Sequence, residues 1–90
     1  MSEKNVQDKK DAFLLVLDQL GTAKNISIAI ERSGISVSQL ASMLAVENQT
    51  VYLWRSASPH QIRTPSIDNL IRLAYVLDTS VDELLAVKKL

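Results

Sequence analysis

An all-α fold is predicted by three observations on this chain. Apolar residues recur at helical spacing along most of its length. Two serines stand three residues ahead of a Gln or Glu, Ser36 before Gln39 and Ser80 before Glu83. No segment alternates apolar and polar residues as a half-buried strand would. Ninety residues, 47% of them hydrophobic and 22% charged, suffice for one modest core.

The first expected helix covers about Val6 to Leu20, where Phe13, Leu14, Leu17 and Leu20 share a face, and Gly21 supplies its stop. Residues 1–21 then form an extension carrying one amphipathic helix, and residues 22–90 form the main domain. A second helix, from about Ala23 to Ser33, turns Ile26, Ala29 and Ile30 inward and ends at Gly34. Ser36 opens the third through a capping box with Gln39, and Leu40, Ala41 and Leu44 are its buried stripe. A fourth runs from about Asn48 to Ala57, before a loop signalled by the two prolines of SPHQIRTP. Ser66 caps a fifth helix holding Ile67, Leu70, Ile71, Ala74 and Leu77. Ser80 and Glu83 announce a sixth, with Val81, Leu84 and Leu85. One core is expected to join Leu40, Leu44, Val51, Trp54, Leu70, Ala74, Leu77 and Leu84.

Composition narrows the function. Without cysteine, disulfides and thiolate metal sites are excluded. The apolar run Phe13 to Leu17 is too short to span a bilayer, so neither signal peptide nor membrane anchor is expected, and a cytoplasmic location is. His60 is the single histidine and has no second ligand beside it. The two glycines, Gly21 and Gly34, make no phosphate-cradling loop. Asp78, Asp82 and Glu83 suit helix capping better than a catalytic dyad. Neither an enzyme nor a cofactor or metal site is expected.

The formal net charge is zero, whereas neutralising phosphates supplies much of the affinity of many DNA-binding domains. Distribution matters more than the sum. Acidic residues lie towards the two ends, while the segment from Arg32 to Arg63 carries Arg32, Arg55 and Arg63 against Glu47 alone.

Ser36 to Trp54 has the form of two short helices joined by a tight turn, a helix-turn-helix, whose second helix is held out to enter a major groove. Val51 and Trp54, three apart, share the buried stripe of that helix. Its other side therefore carries Gln49, Tyr52, Leu53 and Ser56, with Asn48 at the N-terminal tip. Asn and Gln amides pair with adenine N6 and N7, a tyrosine hydroxyl reaches a phosphate or base edge, and leucine packs on a thymine methyl. Asn48, Gln49, Tyr52 and Leu53 are the candidate base-reading residues. Ser36, Ser38, Thr50, Arg55, His60 and Arg63 are the candidate phosphate contacts, the two serines aided by the positive end of the third helix.

Over about Ile26 to Leu85 the chain resembles the lambda-type phage repressor and Cro family, the XRE-type regulators. Gly34-Ile35-Ser36, Gln39-Leu40-Ala41, Val46, Val51, Trp54, Pro65-Ser66, Leu70, Leu73-Ala74, Leu77 and Val81-Asp82-Glu83-Leu84 carry the resemblance, in order and nearly in register. It implies a lambda-repressor-like bundle of five helices, here preceded by one extra. It also implies a repressor that binds a palindromic operator in double-stranded DNA, with base contacts at Asn48, Gln49 and Leu53 and phosphate contacts at the start of the third helix. The chain departs from the family at four places. Ala45 stands where a turn Gly is usual, Arg55 where an acidic residue is common, Ala57 where a helix-ending Gly is common, and the loop before Pro65 is longer.

One recognition helix covers too few base pairs to select a site in a genome, so a homodimer is expected. The ends are its expected contact surfaces. Leu84, Leu85, Val87 and Leu90 at the C-terminus are favoured slightly, and Phe13, Leu14, Leu17 and Leu20 either cover the chain's own core or extend the contact. The contrasting possibility is a protein-interaction module on the same scaffold, such as an antitoxin or anti-repressor, that docks a protein through its first helix.

Overall fold

The computed structural model describes residues 9–90. After a 3₁₀ turn at Ala12–Leu14 come β1 (Leu15–Leu17), α1 (Gln19–Ser33), α2 (Val37–Leu44), α3 (Asn48–Trp54), α4 (Ile67–Val76), α5 (Val81–Leu84) and β2 (Val87–Lys89). The described chain is thus mostly helical, with five α-helices. Each helix starts where a side chain can accept one of its orphan amides or a carboxylate can face its positive end. Asp18 accepts from the Gly21 amide, Ser36 from Gln39, Ser66 from Asn69 and Ser80 from Glu83. At the tip of α3 the N-cap is Glu47, whose side chain makes no capping bond.

The helix stripes meet in one core. Ile26 and Ile30 of α1, Leu40, Ala41 and Leu44 of α2, and Val51 and Trp54 of α3 pack with Leu70, Leu73, Ala74, Leu77 and Leu84. All eight residues expected to share the core are buried, and the Trp54 indole is only 3% exposed.

The N-terminal region differs from expectation. The expected helix over Val6 to Leu20 is replaced, from Leu15 to Leu17, by a strand that pairs antiparallel with β2, Leu15 with Lys89, Val16 with Lys88 and Leu17 with Val87. Val6 to Asp8 lie outside the described residues. The physical reason sits at Asp18, whose carboxylate caps α1 and fixes the helix start at Gln19, leaving the residues before it extended. Pairing with a distant strand then outweighs the helical spacing of the leucines, which is a weak local preference. Phe13 and Leu20 remain exposed instead of covering the core.

Gly21 does not stop a helix; it lies in the first turn of α1. A Cβ there would fall 2.7 Å from Asp18 Oδ2 and 2.9 Å from the Ala86 Cβ, so the position lets the C-terminal segment lie close against α1. Beside it the buried Thr22 hydroxyl accepts the Ala86 amide at 3.0 Å. Two further expectations are corrected. On α4, Ile67 and Ile71 face outward and Leu73 is fully buried in their stead, because the inward stripe follows Leu70, Leu73, Ala74 and Leu77. The last helix ends at Leu84, and the chain continues as β2.

Candidate nucleic-acid interface

The interface is assembled by the ends of α2 and α3. Ser36 holds the start of α2 through both halves of a capping box: its Oγ accepts the Gln39 amide at 3.1 Å, and its own amide donates to Gln39 Oε1 at 3.0 Å. As the capping hydroxyl serves as acceptor, its proton stays available to a phosphate oxygen. The first-turn amides of Val37 and Ser38 have no acceptor within the helix and add to a positive end.

The turn between the helices is compact. Ala45 adopts φ 56° and ψ 44°, the left-handed conformation that usually calls for glycine. The amides of Ala45 and Val46 donate to the Ser42 and Ala41 carbonyls. Glu47 then returns to extended backbone, and α3 begins at once.

Val51, wholly buried, and Trp54 anchor α3 on the bundle and so fix which of its sides points away. Asn48 and Gln49 are exposed and Tyr52 is 53% exposed, while Thr50 and Leu53 are half-buried. Asn48 Nδ2 donates to Ser38 Oγ at 3.4 Å, which sets the tip of α3 beside the first turn of α2. Ser36, Ser38, Asn48 and Gln49 therefore lie together at one end of the motif, and Tyr52 lies one helical turn along from Asn48.

Downstream, α3 stops at Trp54 instead of continuing to Ala57, and Arg55 leaves the helical conformation at φ −110°, ψ 14°. A turn closed on the Ser58 carbonyl by the Gln61 and Ile62 amides carries the exposed His60. The Arg63 amide then donates to the Leu53 carbonyl at 3.1 Å, which ties the loop to the end of α3 and leaves the exposed Arg63 beside it. Arg55 goes elsewhere. Its Nη2 donates to Ser27 Oγ at 2.8 Å and to Glu31 Oε2 at 3.2 Å, both on α1, and the side chain is 21% exposed. The guanidinium joins α3 to α1 and is not brought to the surface shared by the other candidates. Sequence reasoning missed this contact. Its signal was the serine–glutamate pair one turn apart on α1, which a basic residue after Trp54 can reach.

Among the described residues, no group of three or more His, Cys, Asp or Glu is placed to hold a metal ion, and no helix is long and apolar enough to cross a membrane.

No curated protein and no solved structure matches the chain. The family profile of the Cro/C1-type HTH DNA-binding domain, by contrast, matches residues 25–89. That span takes in α1 from Asn25 onward, the whole motif, α4, α5 and β2. Its geometry is the one built above from caps, turn and buried stripe, and the chain belongs to the Cro/C1-type helix-turn-helix DNA-binding family.

Proposed function

We propose that this chain is a sequence-specific transcriptional repressor of phage or bacterial type, acting in the cytoplasm, that lays α3 in the major groove of a palindromic operator. The observation that carries the proposal is the exposed row Asn48, Gln49 and Tyr52, opposite buried Val51 and Trp54 and beside the capped start of α2. Asn48 and Gln49 read adenine edges, Tyr52 a phosphate or base edge, and Leu53 a thymine methyl. Ser36, Ser38 and Thr50 hold one phosphate strand, while His60 and Arg63 hold the other side of the groove. Two copies bind together, with their α3 helices about 34 Å apart, one turn of DNA.

Selection of bound sequences from random duplex DNA, followed by electrophoretic shift at two salt concentrations, tests this. The expected result is a two-fold symmetric consensus that survives the higher salt better than random DNA does. Equal affinity for every sequence at both salts overturns it.

One observation favours a second class of function. Glu47 is exposed at the tip of α3, and Arg55 is already paired within the fold, so the motif has little positive charge. A protein-binding role, as in an antitoxin or anti-repressor, would account for that. Failure of the selection together with capture of a protein by this surface would establish it.

A further inference from the structure

Four large apolar side chains that the bundle leaves outside its core gather on one surface. On α4, Ile67, Ile71 and Tyr75 fall at successive i, i+4 positions and are 61%, 54% and 87% exposed. Met43, in the last turn of α2, is 57% exposed and forms with Val46 the far wall of a groove that runs beside Ile71 and Tyr75. Single exposed apolar residues are ordinary. A continuous stripe over two turns of one helix marks a contact surface. The helix has two apolar sides, and the bundle covers only the one carrying Leu70, Leu73, Ala74 and Leu77.

The charges beside the stripe identify the occupant. Asp68 and Arg72, both exposed, lie one turn apart along the flank that faces the groove. There Arg72 Nη1 also donates to Asn69 Oδ1 at 3.1 Å and keeps its other donors free for a second copy. A second α4 laid antiparallel across the first, with Ile71 on the two-fold axis, sets Ile67 of one copy against Tyr75 of the other. On the flank it brings Asp68 of each copy towards Arg72 of the other, with an axial stagger of two residues, about 3 Å, which an arginine stem spans. The surface is complementary to itself, as an isologous interface requires. The antiparallel arrangement also opposes the two helix dipoles.

We infer that α4 is the face through which two copies of this chain pair. The inference deepens the paired binding proposed above, but self-association needs no DNA, so it is measured separately. Sedimentation equilibrium of the full chain is compared for the wild type, Ile71→Glu, Tyr75→Glu, Asp68→Arg, Arg72→Asp and the double reversal Asp68→Arg/Arg72→Asp. Thermal melts check that each variant folds, as substitutions at exposed positions should. The wild type should dimerise, and either glutamate should raise the dissociation constant about 100-fold, the effect of losing a central anchor. Each single reversal should weaken the dimer several-fold, and the double reversal should restore it. A wild type that stays monomeric at its highest soluble concentration overturns the inference. So does a dimer indifferent to Ile71→Glu, or one that Phe13→Glu abolishes in its place. Loss of DNA binding alone would leave these results standing.

Discussion

Ala45 holds a left-handed conformation that costs an L-residue roughly 1–2 kcal/mol, and its side chain is exposed, so nothing packed on the Cβ offsets that cost. Ala45→Gly removes the strain but returns part of the gain to the unfolded chain as backbone entropy. The expected net is a stabilisation of up to about 1 kcal/mol, read as a rise of about 4–8 °C in Tm for a domain of this size. Trp54 is the opposite case. Its indole is buried between the helices, and Trp54→Ala should cost about 3–5 kcal/mol in a denaturant titration. Gln49 and Arg63 are both exposed, and the role proposed for them is in binding, not in stability. Gln49→Ala should cost about 1–3 kcal/mol on the selected operator and almost nothing on random DNA. Arg63→Ala should weaken both equally and reduce the salt slope by about one charge. Equal loss on both DNAs for Gln49→Ala would remove it from the base-reading set.

At the scale of elements, the first turn of α1 responds to substitution against the usual rule. Gly→Ala inside a helix ordinarily gains up to about 1 kcal/mol. At Gly21 the added Cβ meets Asp18 and Ala86, and overpacking of this kind costs about 1–3 kcal/mol. Gly21→Ala should therefore lower stability by about 1 kcal/mol in thermal melts, with part of the loss recovered in Gly21→Ala/Ala86→Gly. The same turn shows what was legible in the sequence. Helices α2, α4 and α5 were announced by their own caps, Ser36, Ser66 and Ser80, and by apolar stripes local to each. The cap at Asp18 is equally local, but the helical spacing of Phe13, Leu14 and Leu17 masked it. The partner that makes Leu15–Leu17 a strand lies at the other end of the chain. On α4 the two isoleucines had the right spacing for the core, and only the three-dimensional placement of Leu73 shows which side faces in. In the candidate interface, the α3 face followed from Val51 and Trp54 alone. The path of Arg55 depended on α1 packing beside it, a contact that no spacing within the motif encodes.

The described chain is a bundle in which the segment before α1 is fastened to the segment after α5. Hydrogen bonds join β1 to β2, the Leu90 amide donates to the Leu14 carbonyl, and the Asp18 amide donates to the Ala86 carbonyl. The residues expected to reach a second copy, at both termini, are thus partly occupied within one chain. Phe13, Leu15, Val87 and Leu90 still project from the ribbon. The helices pack both between neighbours in sequence, α2 on α3 and α4 on α5, and across the chain, α1 on α5, where Asn25 Nδ2 donates to the Leu84 carbonyl. The ribbon joins Leu15 to Lys89, across a loop longer still than the one the α1–α5 contact closes. Closing so long a loop carries an entropic cost that nearby contacts do not. Three-residue strands return few bonds for it, and both lie at a sheet edge. The order of assembly follows. The helices should condense first and the ribbon should zip last, and in the native protein it should open alone many times before the bundle unfolds once. Native-state hydrogen exchange should find the β1 and β2 amides exchanging through a local opening insensitive to denaturant, while those of Ile26, Leu40 and Leu73 wait for global unfolding. Exchange of both sets at a single rate would mean that the termini and the core form one cooperative unit.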